Sequence, residues 1–209
     1  MALLHRAASL NERNIVLASS SPRRRDLMQQ LGLTNFVVTP SHFAEDLPKE
    51  GYSPEHYAIA TALGKANEVA KRMTNDGESF DLVIGGDSVV VLGETTILEK
   101  PKDESDAIRM LGLLSGSTHR IISGVALVRP GKPDVSFFES TQVRFVTLDE
   151  AAIAAYVATG EPMDKAGAYG IQGKAGSFVA AINGCYYNCV GFPLARVAQA
   201  LNQPGFLEG

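Results

Sequence analysis

The stretch NIVLASSSPRRRDLMQQLGL, residues 14–33, reads as a strand running straight into a helix. Residues 14–18 form a short apolar run of the kind that makes a buried strand. Ser21 suits a helix N-cap, Pro22 the first helical position and Gly32 the C-terminal stop. Working outward, the same mixture continues. Residues 54–73 read as a second helix, and DLVIGGDSVVVL (81–92) as a buried strand broken by Gly85–Gly86. Residues 103–114 read as a capped helix with Ile108, Leu111 and Leu114 on its apolar side. Strands near 118–129 and 134–147 flank the turn Pro130-Gly131-Lys132-Pro133. A helix over 149–160 ends at Gly160, and residues 162–176 read as a glycine-rich loop. Residues 177–191 suggest a hairpin turning near Asn183–Gly184, and residues 193–203 a closing helix. Helices interspersed with strands point to an α/β fold with a mixed central β-sheet flanked by helices. There is no internal repeat and no low-complexity linker. Residues 1–209 read as one domain, with 1–13 a poorly ordered N-terminal extension.

The bulk properties narrow the function. The chain has 209 residues, 45% hydrophobic and 20% charged, with a formal net charge of −4. That is a soluble globular profile, without the basic face of a nucleic-acid binder. Any anion site must be a local cluster of cations in an acidic protein. No apolar run approaches the roughly 20 residues that span a bilayer. The start, MALLHRAASLNERN, is too briefly apolar for a signal peptide, so a cytoplasmic location is expected. The two cysteines, Cys185 and Cys189, fit a reducing compartment.

Three segments carry chemistry. In Ser19-Ser20-Ser21-Pro22-Arg23-Arg24-Arg25, Pro22 sets the arginines in the first helical turn. That is the positive end of the helix dipole, where a cation costs about 0.3–1 kcal/mol. An anion in front of it would explain them, since free N–H groups, hydroxyls and guanidinium forks together cradle phosphate. A solvated basic face is the plainer alternative. In the second segment, Asp87 interrupts an apolar strand, with Lys65 in a helix and Glu99-Lys100-Pro101 downstream. Burying that carboxylate unpaired would be costly. It either caps a turn, pairs with a lysine, or places a metal or water beside a phosphate. The third segment, Asp164 to Gly173 (DKAGAYGIQG), is rich in small residues and includes Gln172, whose amide both donates and accepts. An irregular loop is the plainer reading there. Cys185-x3-Cys189 lacks metal-ligand spacing, and His119 reads as a hydrogen-bonded structural residue. Neither G-x-S-x-G nor a P-loop occurs.

Together these segments resemble the Maf family of nucleotide pyrophosphatases. The matching pieces are LASSSPRR (17–24), GKA (64–66), GGDSVV (85–90), LEKP (98–101), LSGSTH (114–119), DKAGAYGIQG (164–173) and INGCYYNCVGFPL (182–194). The resemblance runs from about residue 14 to 201. It implies a fold related to the inosine-triphosphate pyrophosphatases, with two lobes around a cleft. It also implies a divalent metal, Mg²⁺ or Mn²⁺, and a nucleoside triphosphate substrate. No nucleic-acid polymer or membrane partner is implied, and a homodimer is left open. The subgroup most similar in motif acts on dTTP and UTP, and modified pyrimidine nucleotides are further candidate substrates. By position, Asp87 matches the proton acceptor, and Ser19, Arg23, Arg24, Lys65 and Lys100 match phosphate contacts. Arg23, Ser88 and Gln172 match positions linked to substrate choice. Glu45 matches an acidic position near the metal, beside Asp87. Related sequences commonly carry Thr where this chain has Ser88, which keeps the hydroxyl and drops a methyl. A nucleotide-sensing regulator of cell division, without significant turnover, is the alternative the resemblance leaves.

The chemistry expected is attack of water on the α-phosphorus with pyrophosphate leaving. An unperturbed Asp is a weak base at neutral pH, so metal-activated water with Asp87 as acceptor is the expectation. Gln172 can accept from the N–H of uracil or thymine and donate to a carbonyl. Its amide can also turn to suit cytosine, so other groups must fix its orientation.

Overall fold

The computed structural model describes residues 3–207. Strand β1 (Ile15–Ala18) is buried along its length and is followed at once by α2 (Pro22–Gln30). It lies parallel to β2 (Phe36–Val38) on one side and β3 (Leu82–Leu92) on the other. Helix α3 (Pro54–Asn75) joins β2 to β3. Strand β4 (Thr96–Leu98) turns back antiparallel on β3. There follow α4 (Glu104–Leu114), β5 (Thr118–Val128), β6 (Val135–Phe145) and α5 (Glu150–Val157). The chain closes with β7 (Val179–Asn183), α6 (Tyr186–Val190) and α7 (Leu194–Leu201). Among the described residues the seven strands form one mixed sheet in the order β2-β1-β3-β5-β6-β7, with β4 beside β3. The α/β class and the mixed sheet read from the sequence are therefore present. No helix among the described residues is long and apolar enough to cross a membrane.

The chain divides into two compact units: Met1–Asp87 with Ser123–Glu139 and Gly191–Gly209, and Ser88–Ile122 with Ser140–Val190. The first unit is organised by α3. Its N-cap is Ser53, whose side chain accepts from the His56 N–H, with Pro54 opening the helix. Ala58, Ala62, Ala66, Ala70 and Met73 recur every three or four residues on its buried face. The four alanines let the helix backbone come close to the sheet. A Cβ added at Gly85 in β3 would collide with the Ala62 carbonyl oxygen, and one at Gly124 in β5 with that of Ala58. Val16, Ala18, Val83, Ala126 and Val128 complete this core. The segment expected to be a poorly ordered extension is helical here, as a 3₁₀ turn over Leu3–Arg6 and α1 (Ala7–Asn11). Leu3 and Leu10 are buried, and Arg6 Nη1 donates to the Leu201 carbonyl at 3.1 Å. Residues 1 and 2 of that segment lie outside the described residues. The last described turn is tied down as well. Arg129 Nη1 donates to the Phe206 carbonyl at 2.6 Å, and its guanidinium lies 4.1 Å from the Phe206 ring centre.

The second unit is built on aromatic contacts. His119, Phe145 and Tyr169 meet edge to face, with ring centres 4.7–5.4 Å apart. Phe178 joins Phe145 and Tyr156. His119 Nε2 and the Tyr169 hydroxyl share a 2.7 Å hydrogen bond, and burial pushes the imidazole pKa down to about 4.

Several local expectations are corrected. Gly85 and Gly86 do not break β3, which runs unbroken through them. The glycines make room rather than a turn. On α4 the buried face is Ala107, Met110, Leu111 and Leu114, while Ile108 is 45% exposed. The 162–176 loop contains three 3₁₀ turns, Glu161–Asp164, Ala166–Ala168 and Lys174–Phe178. No hairpin forms at Asn183–Gly184. β7 already pairs with β6, and Thr141 Oγ1 occupies both the N–H and the carbonyl of Cys185 at 3.1 Å. With that residue's hydrogen bonds met by a side chain, the chain turns into α6 instead of a strand. The short strands β2 and β4 carry too few residues to leave a periodic signal.

Gly85→Ala and Gly124→Ala should each cost about 2 kcal/mol or more by overpacking α3. Exposed Gly112 in α4, where a Cβ meets nothing, should gain about 0.5–1 kcal/mol as Ala. Thermal melts should separate the three by opposite shifts, at about 2–4 °C per kcal/mol. For His119, the neutral ring is favoured on folding. Its contribution is complete above about pH 6.5 and fades as pH falls toward 4. The stability gap between wild type and His119→Gln should therefore shrink across that window in urea titrations. A constant gap would contradict the assignment.

Candidate active site

The arginine segment folds as its residues dictate. The Ser21 side chain accepts from the Arg24 N–H at 3.4 Å, and Pro22 starts the helix. Ser19, buried at the end of β1, accepts from the Ser21 N–H and from Arg24 Nη1, the latter at 3.0 Å. Arg24 Nε donates to the Gly191 carbonyl at 3.0 Å. The guanidinium crosses β3 at Gly86, where a Cβ would lie 3.0 Å from Nε. Burial lowers the proton affinity of Arg24, and the charge of Asp87 counters it. A guanidinium stays charged under any such shift. Arg23 is half-buried, whereas Arg25 is exposed and lies 3.8 Å from Asp26.

Lys65 projects from α3 between two carboxylates. Its Nζ lies 2.8 Å from Asp87 Oδ1 and 3.0 Å from Glu45 Oε1. Lys65 and Asp87 are each only 10% exposed by side chain, and Glu45 is 47% exposed. Of the readings left open for Asp87, pairing with a lysine is thus realised. The irregular segment preceding Glu45 is anchored from α3. Glu68 accepts from the Ser41 hydroxyl at 2.9 Å and from the His42 N–H at 2.8 Å. Arg72 holds Glu68 at 2.9 Å and donates to the Pro40 carbonyl. Those donors, Arg72 first, hold the Glu68 carboxyl down at about 2. Phe43 lies over Gly64, where any Cβ would strike its ring. Ser19, Arg24, Glu45, Lys65 and Asp87 thus stand together in the first unit. The i, i+4 pair Glu68–Arg72 was readable as a helix-surface ion pair. Its grip on residues 40–42 was not, because it depends on where the chain returns.

The remaining candidates belong to the second unit. Ser88 follows Asp87 in β3 and so points to the opposite face of the sheet. Lys100 is exposed after β4, and its neighbour Glu99 accepts from the Gly167 N–H at 3.0 Å, joining LEKP to the DKAGAYG segment. Gln172 is exposed at a turn. His119 is buried against aromatic rings, as the structural reading expects. Cys185 and Cys189 are unbridged, and burial pushes the Cys189 thiol up to about 12. Among the described residues no group of three or more His, Cys, Asp or Glu side chains forms a metal site. Two carboxylates do converge on one cation, and hard oxygen donors of that kind suit Mg²⁺ or Mn²⁺ completed by phosphate oxygens.

Fold and site define an α/β protein whose first unit gathers an arginine from α2, a lysine from α3 and two carboxylates, one of them in the middle of β3. The chain belongs to the Maf family, whose model, described as Maf-like protein, matches residues 14–204. It is 46% identical to the dTTP/UTP pyrophosphatase of Pelotomaculum thermopropionicum, covering 93% of this chain and 98% of that one. It is 43% identical to the Bacillus cereus dTTP/UTP pyrophosphatase, covering 97% and 96%. A Homo sapiens relative, the probable bifunctional dTTP/UTP pyrophosphatase/methyltransferase protein, is 44% identical over 92% of this chain. The match spans 32% of that human protein's length. Among solved structures, a HAM1 protein from Coxiella burnetii is 15% identical with a TM-score of 0.49, covering 91% of this chain and 99% of that one.

Removing Lys65 should expose how far the site is held by its own charges. Lys65→Met leaves Asp87 buried without its cation and should cost about 3–5 kcal/mol in urea unfolding. Adding Asp87→Asn to Lys65→Met should recover part of that loss, because no uncompensated charge remains. A Lys65→Met protein of unchanged stability would mean the pair is not buried as described.

Proposed function

We propose that this chain hydrolyses nucleoside triphosphates, dTTP and UTP above all, between the α- and β-phosphates to give the monophosphate and pyrophosphate. The observation that carries the reading is the Lys65 ammonium held between Asp87 and Glu45 beside Arg24. The named activity of relatives 43–46% identical over most of the chain supports the same reaction. The reading also includes a cytoplasmic location, for which the two unbridged cysteines speak.

The roles follow from the charges. Ser19, Arg23, Arg24 and Lys65 meet the phosphates, with Lys100 added by its place in the family motif. Positioned cations of this kind lower the barrier by neutralising charge that builds on the phosphoryl oxygens. Water attacks the α-phosphorus, the bond to the bridging oxygen breaks, and pyrophosphate leaves with the electron pair. Asp87 takes the proton from the attacking water. Lys65, already bonded to Oδ1, fixes the direction in which that carboxylate faces. Lys65 and Arg24 are formally balanced by Asp87 and Glu45, so a polyanion entering this cluster needs further positive charge. Asp87 and Glu45 would hold a Mg²⁺ or Mn²⁺ ion, which supplies charge neutralisation and lowers the pKa of water. Arg23, Ser88 and Gln172 act on base choice.

With Mg²⁺ or Mn²⁺ present, dTTP should yield dTMP and pyrophosphate, read separately from orthophosphate. dTDP and orthophosphate as first products would sink the α–β assignment, and tight nucleotide binding without turnover would make the protein a sensor. Asp87→Asn, folded by circular dichroism, should lose at least a hundredfold in kcat.

A further inference from the structure

Glu161 lies outside the residues assigned a role above, yet it grips the segment carrying Gln172 at both ends. The Gly173 N–H donates to the Gly170 carbonyl at 3.0 Å, closing a turn with Ile171 and Gln172 at its centre. On the far flank, Glu161 Oε2 accepts from the Lys174 N–H at 3.1 Å. On the near flank, Glu161 Oε1 accepts from the Tyr156 hydroxyl at 3.0 Å, and the Tyr156 hydroxyl oxygen accepts from the Gly170 N–H at 3.4 Å. Burial, with Glu161 second, raises the Tyr156 pKa, so the phenol keeps the proton it donates. The two glycines fit the same device. A Cβ at Gly173 would collide with the Glu161 carboxylate, and one at Gly170 would lie 2.5 Å from Lys165 Cε. Lys165 Nζ in turn donates to the Glu161 carbonyl at 2.7 Å. All of these residues belong to the second unit.

A carboxylate that bonds the residue after a four-residue turn, and reaches the residue opening it through Tyr156, leaves the central residues little freedom. That matters for an amide, whose two ends suit uracil in one orientation and cytosine in the other. Holding the backbone in advance fixes where that amide stands against the base edge and removes part of the entropic cost of presenting it. We propose that Glu161 is a positioning residue for base selection, fixing the Gln172 turn so that uracil and thymine are preferred over cytosine. The proposal rests on the reading of Gln172 as a base contact.

The test compares kcat/KM for UTP and CTP with Mg²⁺ in Glu161→Ala, Gln172→Ala and the double variant. Gln172→Ala should lower the UTP/CTP ratio roughly tenfold, the order of one lost hydrogen bond. Glu161→Ala should lower it comparably, and the double variant no further. Glu161→Gln keeps one acceptor where the carboxylate offers two, for Tyr156 or Lys174 but not both, so its ratio should fall between. Gly173→Ala disturbs the same contact from the opposite side and should lower the ratio as well. The last two variants decide the matter if Glu161→Ala does not fold. A ratio that falls in Gln172→Ala but holds in the Glu161 and Gly173 variants overturns the positioning role. So does an equal loss for both nucleotides, which is what a merely structural role would give. A ratio unmoved by Gln172→Ala removes the base-contact reading and this proposal with it.

Discussion

Helix α3 lies against its strands at backbone distance, and the first unit depends on that approach. Glycine at 85 and 124 faces the carbonyls of Ala62 and Ala58, leaving no space for even a methyl group. Dispersion contacts between close-packed backbone surfaces are individually small but lost steeply with separation. The approach also sets the chemistry. Lys65 sits one turn beyond Ala62, and Asp87 two residues beyond Gly85, so the contact that joins helix to strand delivers the ammonium to the carboxylate. Gly64 and Gly86 extend the same logic. One admits the Phe43 ring near the start of the Glu45 segment, and the other admits the Arg24 side chain across the strand.

The charged groups gathered there are not independent. Lys65 bonds Asp87 and Glu45, and Arg24 feels Asp87 and Arg23. Arg24 is further fixed by Ser19 and the Gly191 carbonyl. Such a network is oriented before any ligand arrives, which is the condition under which fixed charges act most strongly on a reacting phosphate. The Glu45 arm is the most exposed member, held through Glu68 and Arg72 upstream of it.

Much of this was legible in the chain. The strand–Ser–Pro–Arg run gave β1, the Ser21 cap and the start of α2 because each signal is local and chemical. The pairing of Asp87 with Lys65 was one of several readings, since a carboxylate in an apolar run demands a partner but does not name it. The glycines at 85 and 86 misled for a physical reason. Sequence offers no way to tell a glycine that turns the chain from one that clears space for another element. Ile108 misled because Ala107 and Met110 serve the buried face of α4 as well as larger residues would. The hairpin expected at Asn183–Gly184 failed on a long-range bond, Thr141 to Cys185, between residues 44 apart. Glu161 gave no signal, because its partners, Tyr156 and Lys174, are joined to it only by the fold.

The order in which the first unit is assembled along the chain bears on its synthesis. Its strands and helices come from three separated stretches, and the last begins at Gly191. Arg24 needs the Gly191 carbonyl, Arg6 that of Leu201 and Arg129 that of Phe206. A ribosome that has released β1, α2, α3 and the first half of β3 has therefore made most of the cation cluster without its final anchors. The second unit's residues emerge in the meantime, ending at Val190. The nascent first unit must wait, incomplete, until the closing helix leaves the exit tunnel.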